Sequence, residues 1–339
     1  MESIDIKDAG MNPKKLLELD SIVKAQYKDI EGIVVLRKDC IAFERYYNGF
    51  KPSDTLHVAS VTKSIISALI GIAIDKGYIK SVDEKVLDFF PEYDFNSADT
   101  QKQAITLRHL LTMTAPYPFK AWHEPFERLC RQTDWVKYTL DCLGRGGKIG
   151  DFKYSSEGVH LLSAIITRST GKCAREFANE YLFKPIGMRK IPDCKMKGFR
   201  VNDLFGNDIK GWVKDPNGNS IGGWGLTLTP VDMARFGLLY INDGVCNDKQ
   251  IISKGWIRES IDLHSEVKFK NTILKYGYLW WLKTEDGVFS YAAIGDGGNI
   301  ICCIPEKKLV VSIIAKWTPK APPDRWKLIK KGILPAIID

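Results

Sequence analysis

Ser60-Val61-Thr62-Lys63 sets a hydroxyl and an amine three residues apart, immediately before the apolar run Ser64 to Ile74. On a helix such residues are neighbours, with Cβ atoms about 5–6 Å apart, so a lysine that has shed its proton can take the proton of the serine. Lysine ordinarily titrates at about 10.4, but desolvation or a cationic neighbour lowers that by up to several units and frees the amine near neutral pH. The same spacing recurs at Ser21/Lys24, Ser169/Lys172 and Ser265/Lys268. Ser21 lies in the charged pattern of Leu16 to Tyr27, Ser169 ends a helix at Gly171, and Ser265 precedes the polar stretch Glu266 to Asn271. Only Ser60 opens a long apolar helix. Because serine is also a common helix cap, the spacing needs support from other residues.

Two further groups supply it. Tyr154-Ser155-Ser156 stands just before a helix expected over Glu157 to Thr170. A tyrosine at a helix start can reach across a cleft, and beside a lysine its phenol is expected to ionise more easily and serve as general base or proton shuttle. Taken alone, the same residues read as a packing tyrosine and a capping serine. The third group is Ala293-Ile294-Gly295-Asp296-Gly297-Gly298-Asn299, between two expected strands. Glycines let a backbone approach a ligand closely, and an N–H at such a strand edge can bind an oxyanion; taken alone, the segment is a glycine-rich hairpin turn.

The elements that must position these groups follow from caps and periodicity. Asn12-Pro13 opens a helix to about Tyr27, and Gly32 to Arg37 and Ile41 to Tyr47 read as a hairpin. The Ser60 helix ends near Gly77, and a short helix opens at Thr106. Glu157 to Thr170 stops at Gly171, which supplies a left-handed cap. Further helices are expected from Ala174 to Phe183, from Thr229-Pro230 to Gly244, after Ser253, and from Asp324 to Ile333; Asp193 to Asn219 reads as excursion loops. Four strands, Tyr278 to Thr284, Val288 to Ile294, Asn299 to Pro305 and Leu309 to Lys316, are expected near the C-terminus. Strands at both ends with helices between them give an α+β fold: one antiparallel sheet built from the two termini, flanked by helices, with an inserted mainly helical domain. The expected division is residues 1–59 and 225–339 for the sheet and 60–224 for the nucleophile helix and helical domain, with a pocket in the seam.

At 339 residues, 45% hydrophobic and 27% charged, the chain has the composition of an ordinary globular protein. Its net charge of +8 is mild and the lysines are scattered, so no nucleic-acid partner is expected. No apolar run approaches the roughly 18 residues of a membrane span. The acidic start Met1-Glu2-Ser3-Ile4-Asp5 lacks the features of a secretory signal, which makes the cytoplasm the expected location. The eight cysteines include adjacent Cys302 and Cys303 and no C-x-x-C pair, and read as reduced thiols. Histidines 57, 109, 123, 160 and 264 form no metal-ligand spacing, so no metal cofactor is expected. The sequence specifies no oligomeric state.

In order and spacing the three groups resemble the serine β-lactamase and penicillin-binding-protein superfamily, whose signature is S-x-x-K, an S-D-N-like element and K-T-G. The resemblance is to the class C and esterase branch, including the 6-aminohexanoate-dimer hydrolase type, in which the second element is Y-x-N. It extends over roughly residues 30 to 318 through Leu110-Leu111-Thr112-Met113-Thr114, Tyr181 to Met188, and Gly222-Gly223-Trp224-Gly225-Leu226 followed by Thr229 to Met233. The resemblance implies Ser60 as nucleophile, Lys63 as its base and Tyr154 as the group that protonates the leaving group and activates the deacylating water. It also implies an oxyanion hole from the backbone N–H groups of Ser60 and Asp296, acyl transfer through a Ser60 ester, and no cofactor.

Two departures bear on the substrate. Ala293-Ile294-Gly295 stands at the K-T-G position, so the lysine and threonine that would hold a carboxylate are replaced by apolar side chains. Losing such a charge-assisted hydrogen bond removes about 1.5–3 kcal/mol, and Asp296 beside it would repel an anion further. Ser156 stands where Y-x-N has asparagine, removing an amide, although its hydroxyl can still bind Lys63. With Ser156 and Gly295 at the substrate, the expectation is a hydrolase of small-molecule carboxylic esters or small amides. Alternatives are a β-lactamase or D-Ala-D-Ala carboxypeptidase, and a non-catalytic domain of the same fold. Trp122, Tyr117 and Trp224 are either pocket-lining or core aromatics.

Overall fold

The side chain of Asn12 accepts hydrogen bonds from the Lys14 and Lys15 amides, opening α1 (Pro13–Gln26) with proline in its first turn. The computed structural model describes residues 7–120, 122–198, 203, 206, 209–318 and 320–338. The acidic N-terminal pentapeptide and part of the Met196 to Asn219 region lie outside the described residues.

After α1 come β1 (Ile30–Arg37), β2 (Cys40–Tyr46), α2 (Val61–Asp75), α3 (Ser156–Thr170) and α4 (Pro230–Ile241), with shorter helices between them. After a two-residue hairpin of Val245–Cys246 with Lys249–Gln250 come the remaining strands of the main sheet: β3 (Ser265–Phe269), β4 (Thr272–Tyr276), β5 (Trp281–Glu285), β6 (Val288–Gly295), β7 (Asn299–Ile304) and β8 (Leu309–Ala315). They form one antiparallel sheet in the order β2-β1-β8-β7-β6-β5-β4-β3. The two ends of the chain meet where β1 pairs with β8, Ile33 opposite Ile313 and Val35 opposite Val311.

Both faces of the central strands are covered, which is why β1, β7 and β8 read as continuous apolar runs rather than alternating ones. Val34, Ala293, Ile301, Cys303 and Val310 join a core with α2, α3 and α4. Ile33, Val35, Ile300, Cys302 and Val311 face α1 and the C-terminal helical segment at 325–333. The period of two thus sends neighbouring Cys302 and Cys303 to opposite faces. α2 is buried from Val61 to Ala73, as a helix apolar all round must be. α3 ends at Gly171, whose φ of 71° is the left-handed conformation expected there.

The structure departs from the expected elements in three places. Ser265–Phe269 and Thr272–Tyr276 form a hairpin at the sheet edge, so the C-terminal part contributes six strands rather than four. Both faces of β3 are largely exposed, which leaves no hydrophobic alternation to read. The strand expected from Tyr278 begins at Trp281, after Leu279 turns the chain with a φ of 62°. Within Asp193 to Asn219, Asp193–Lys195 pairs parallel to Trp212–Lys214.

Candidate active site

Ser60 caps α2 by position but not by hydrogen bond. Its side chain accepts nothing from the helix amides, whereas Asn12, Ser155, Thr229 and Ser253 all cap theirs. The hydroxyl is instead within reach of Lys63 Nζ at 2.9 Å, and lies near enough to Tyr154 to act on its phenol. Ala59 before it has a φ of 49°, an uncommon left-handed conformation for a residue with a Cβ. The turn is held by the Val58 amide donating to the Leu226 carbonyl at 3.0 Å and the Ala59 amide donating to His57 Nδ1 at 3.1 Å.

Lys63, one turn along α2, is 1% exposed. Its Nζ lies 2.9 Å from Ser60 Oγ, 3.0 Å from Ser156 Oγ and 2.7 Å from the Gly223 carbonyl oxygen. The last contact needs close approach: a Cβ on Gly222 or Gly223 would collide with the first turn of α3. Burial pulls the Lys63 amine down from 10.5 to about 7, with the Glu124 carboxylate opposing. The other three S-x-x-K lysines are spent elsewhere: Lys24 pairs with Asp20, Lys172 with Glu180, and Lys268 is exposed.

Glu124 was invisible to sequence spacing. Its carboxylate accepts the Ser156 amide at 2.8 Å, the Glu157 amide at 2.6 Å and the Ser155 hydroxyl at 3.3 Å. It thus occupies the N-terminus of α3, where free amides and the helix dipole favour an anion. Burial nevertheless holds Glu124 above the usual carboxylate range, with Lys63 opposing.

Tyr154 corrects one expectation. Its phenol is pushed up, not down, by burial, with the Glu124 and Asp296 carboxylates adding to the rise and the nearby Ser60 hydroxyl opposing it. Lys63 Nζ stands over the Tyr154 ring, 4.8 Å from its centroid. At neutral pH the phenol is therefore neutral, a hydrogen-bond donor rather than a phenolate. Around it lies an aromatic wall: Trp122 stacks on Tyr154 at 5.1 Å and on Trp281 at 5.8 Å, and Phe269 meets Trp122 edge-on at 5.6 Å. Trp122 is 39% exposed, whereas Tyr117 and Trp224 are core residues at 1% and 2%.

The turn between β6 and β7 packs against the segment that leads into Ser60. A Cβ on Gly295 would collide with the Val58 carbonyl, so only glycine lets the strand end come this near. Gly297 and Gly298 carry the turn with φ of 81° and 89°. Asn299 Nδ2 donates to the Asp296 carbonyl at 3.0 Å, and Arg325 Nε to the Gly298 carbonyl at 3.1 Å. Asp296 is exposed, and its carboxylate accepts from Trp317 Nε1 and the Gly297 amide, each at 2.9 Å. Ala293 is fully buried and Ile294 lies on the opposite face of the sheet, so no cationic side chain stands at either position.

This arrangement has known relatives. The Beta-lactamase family profile matches residues 19–332. The chain belongs to the beta-lactamase family. It is 23% identical over 324 residues to a 6-aminohexanoate-dimer hydrolase of Paenarthrobacter ureafaciens, an alignment covering 90% of this chain and 76% of that one. Its fold is similar to that of a family VIII carboxylesterase, with a TM-score of 0.70, 16% identity, and 94% of this chain and 96% of the other covered. It is also similar to a penicillin-binding-protein homologue from Caulobacter crescentus, with a TM-score of 0.67, 15% identity, and coverage of 91% and 93%. Among the described residues no helix is long and apolar enough to cross a membrane.

Proposed function

We propose that this member of the beta-lactamase family is a serine hydrolase that cleaves carboxylic esters or small amides through a Ser60 acyl-enzyme. The observation that carries this reading is Lys63, buried, drawn down to about 7 and within hydrogen-bonding distance of a serine hydroxyl that caps nothing. Ser60 Oγ attacks the substrate carbonyl carbon as its proton passes to Lys63 Nζ, and the backbone N–H groups of Ser60 and Asp296 receive the developing oxyanion. Collapse of the tetrahedral species breaks the bond to the leaving group, which takes a proton from Tyr154, itself resupplied from Lys63. Water then adds to the Ser60 ester by the same groups in reverse order.

The substrate side favours neutral molecules. Ala293 and Ile294 offer no cation, Asp296 offers an exposed anion, and Trp122, Trp281 and Phe269 offer aromatic surface beside Tyr154. An apolar acyl or leaving group suits this wall; a penicillin or D-Ala-D-Ala carboxylate does not. The eight unpaired cysteines fit a reducing compartment, so we assign the enzyme to the cytoplasm. A fluorophosphonate probe is expected to label wild-type protein and not Ser60→Ala, and p-nitrophenyl esters to be hydrolysed far faster than nitrocefin. Equal labelling of the two proteins would refute the nucleophile, and nitrocefin turnover matching the esters would refute the substrate class.

A further inference from the structure

We propose that Asn299 is a positioning residue for the oxyanion hole: its side-chain amide ties the turn that presents the Asp296 N–H to the segment that leads into Ser60, and so holds the two oxyanion donors at one spacing. The inference rests on the reading of Ser60 as the acylated residue, with the Ser60 and Asp296 N–H groups receiving the oxyanion. Those two groups are carried by different sheets. Asp296 follows β6 in the main sheet, whereas the lead-in strand Leu56–His57 pairs with Thr227–Leu228 in a two-stranded sheet of its own. A hole of two N–H groups works only when both lie about 2.7–3.1 Å from the same oxygen, so one sheet must be fixed against the other beside Ser60.

Asn299, the first residue of β7, does this with its whole side-chain amide. It is buried, and its Nδ2 donates to the Asp296 carbonyl at 3.0 Å and to the His57 carbonyl at 3.4 Å, while its Oδ1 accepts the Ala315 amide at 3.1 Å. A carboxamide offers two N–H donors and a carbonyl acceptor. Two backbone carbonyls can only accept and a backbone amide can only donate, so the three partners fix which end of the side chain is which. Turned over, it would set carbonyl against carbonyl twice and N–H against N–H once. The partners are the oxyanion turn, the lead-in to Ser60 and the end of β8. Asn299 thus joins the turn to the nucleophile's segment across 242 residues of chain and anchors both on a central strand of the sheet.

The turn passes this constraint on to the Asp296 N–H, which is bracketed from both sides. Before it, Gly295 pairs with Asn299 at the strand end and lies against the Val58 carbonyl. After it, the Asp296 carbonyl is held by the Asn299 side chain. The Gly298 amide donating to the Gly295 carbonyl at 3.3 Å and Arg325 Nε donating to the Gly298 carbonyl at 3.1 Å close the turn on its own side. Of these hydrogen bonds, the one from Asn299 to His57 is the one that crosses to the Ser60 side. Packing on Val58 limits how near the turn can come, and the bond to His57 keeps it from drifting away. A drift on the order of 1 Å at a reacting group can cost about 10²-fold in rate.

The test compares Asn299→Ala with wild type in the hydrolysis of p-nitrophenyl acetate, with rates expressed per Ser60 site titrated to completion by a fluorophosphonate. Oxyanion donors act on the transition state and not on the bound ester, so kcat and kcat/KM should fall together by about 10–10²-fold while KM changes by no more than about threefold. A purely structural role would lower the melting temperature and the fraction of titratable sites and leave kcat per titrated site at its wild-type value, which would overturn the proposal. A rise in KM at unchanged kcat would overturn it as well. The wild-type phosphonyl adduct supplies a measurement that needs no variant: in its crystal structure the phosphonyl oxygen should lie about 3 Å from both the Ser60 and the Asp296 nitrogen, with Asn299 still on its three partners. Should Asn299→Ala fail to fold by circular dichroism, a phosphonyl oxygen away from the Asp296 N–H, or an Asn299 that has let go of either carbonyl, would overturn the proposal alone. Absence of labelling in wild type would instead remove the Ser60 acylation on which it rests.

Discussion

Protonation of Lys63 should set the lower pH limit of the reaction. An ordinary lysine leaves only about one amine in 3,000 free at pH 7, whereas an amine at about 7 is half free. Desolvation therefore makes available about three decades more base, offset in part because a weaker base also draws the proton less strongly. The expected profile for fluorophosphonate labelling of Ser60 rises about tenfold for each pH unit below 7 and levels off near 8, as a single deprotonation requires. Lys63→Arg replaces the amine with a group that stays charged, so the rate should fall about 10²–10⁴-fold and the acid limb should vanish. A wild-type limb centred near pH 10 would mean that burial has not freed the amine. A flat profile from about pH 5 to 9 in wild type would mean that Lys63 is not the base.

Gly295→Ala sets a methyl group against the Val58 carbonyl, and overpacking of this kind costs about 1–3 kcal/mol; labelling of Ser60 should drop out of proportion to the fall in melting temperature, and unchanged labelling would separate this strand end from the site. Glu157, buried with neither carboxylate oxygen hydrogen-bonded among the described residues, is pushed from 4.5 up to about 8. The folded state then keeps a proton that the unfolded chain releases, so this contribution to stability is full below 4.5 and is lost as pH rises through 8. In urea unfolding the advantage of Glu157→Gln over wild type should grow by on the order of 2–3 kcal/mol between about pH 5 and 7, and a constant difference would refute it. Trp122→Ala removes a stacking surface worth about 0.5–1.5 kcal/mol, so KM for an aryl ester should rise about two- to tenfold while that for an acetyl ester of a small alcohol rises less. Asp296→Asn should speed hydrolysis of an ester bearing a carboxylate about two- to fivefold, as expected for one screened repulsion, and leave a neutral ester unaffected.

The part of the site that could be read from the chain is the part set by local geometry. One helical turn fixes Ser60 against Lys63, and the caps at Asn12, Ser155, Thr229 and Gly171 lie where side-chain oxygens or a left-handed residue end a hydrophobic period. Glu124 could not be found this way, because it meets Ser156 across 32 residues of chain and belongs to no spacing pattern. Nor could the stack of Trp122 on Trp281, or the hairpin carrying Phe269, which turns little apolar surface inward. The Tyr154 phenol shows the same limit in its charge. A neighbouring lysine lowers a phenol only while the lysine is charged, and the burial that neutralises Lys63 also disfavours a phenolate.

Two groups make the site expensive to fold near neutral pH. The Lys63 penalty is present in full below about 7 and fades toward 10.5, because the unfolded chain keeps the proton longer than the folded one; the Glu157 penalty is absent below 4.5 and full above about 8. They overlap between pH 7 and 8, where each amounts to at most on the order of 4 kcal/mol at about 1.36 kcal/mol per pH unit. That window is also where Lys63 becomes a usable base, so these two contributions are together least favourable where the chemistry becomes possible. Glu124 acts on both terms, since its carboxylate raises both Lys63 and Glu157. Moving that charge away would make Lys63 a weaker base that is free at lower pH, and would let Glu157 ionise sooner. One carboxylate at the start of α3 therefore couples the reactivity of Ser60 to the pH dependence of the fold.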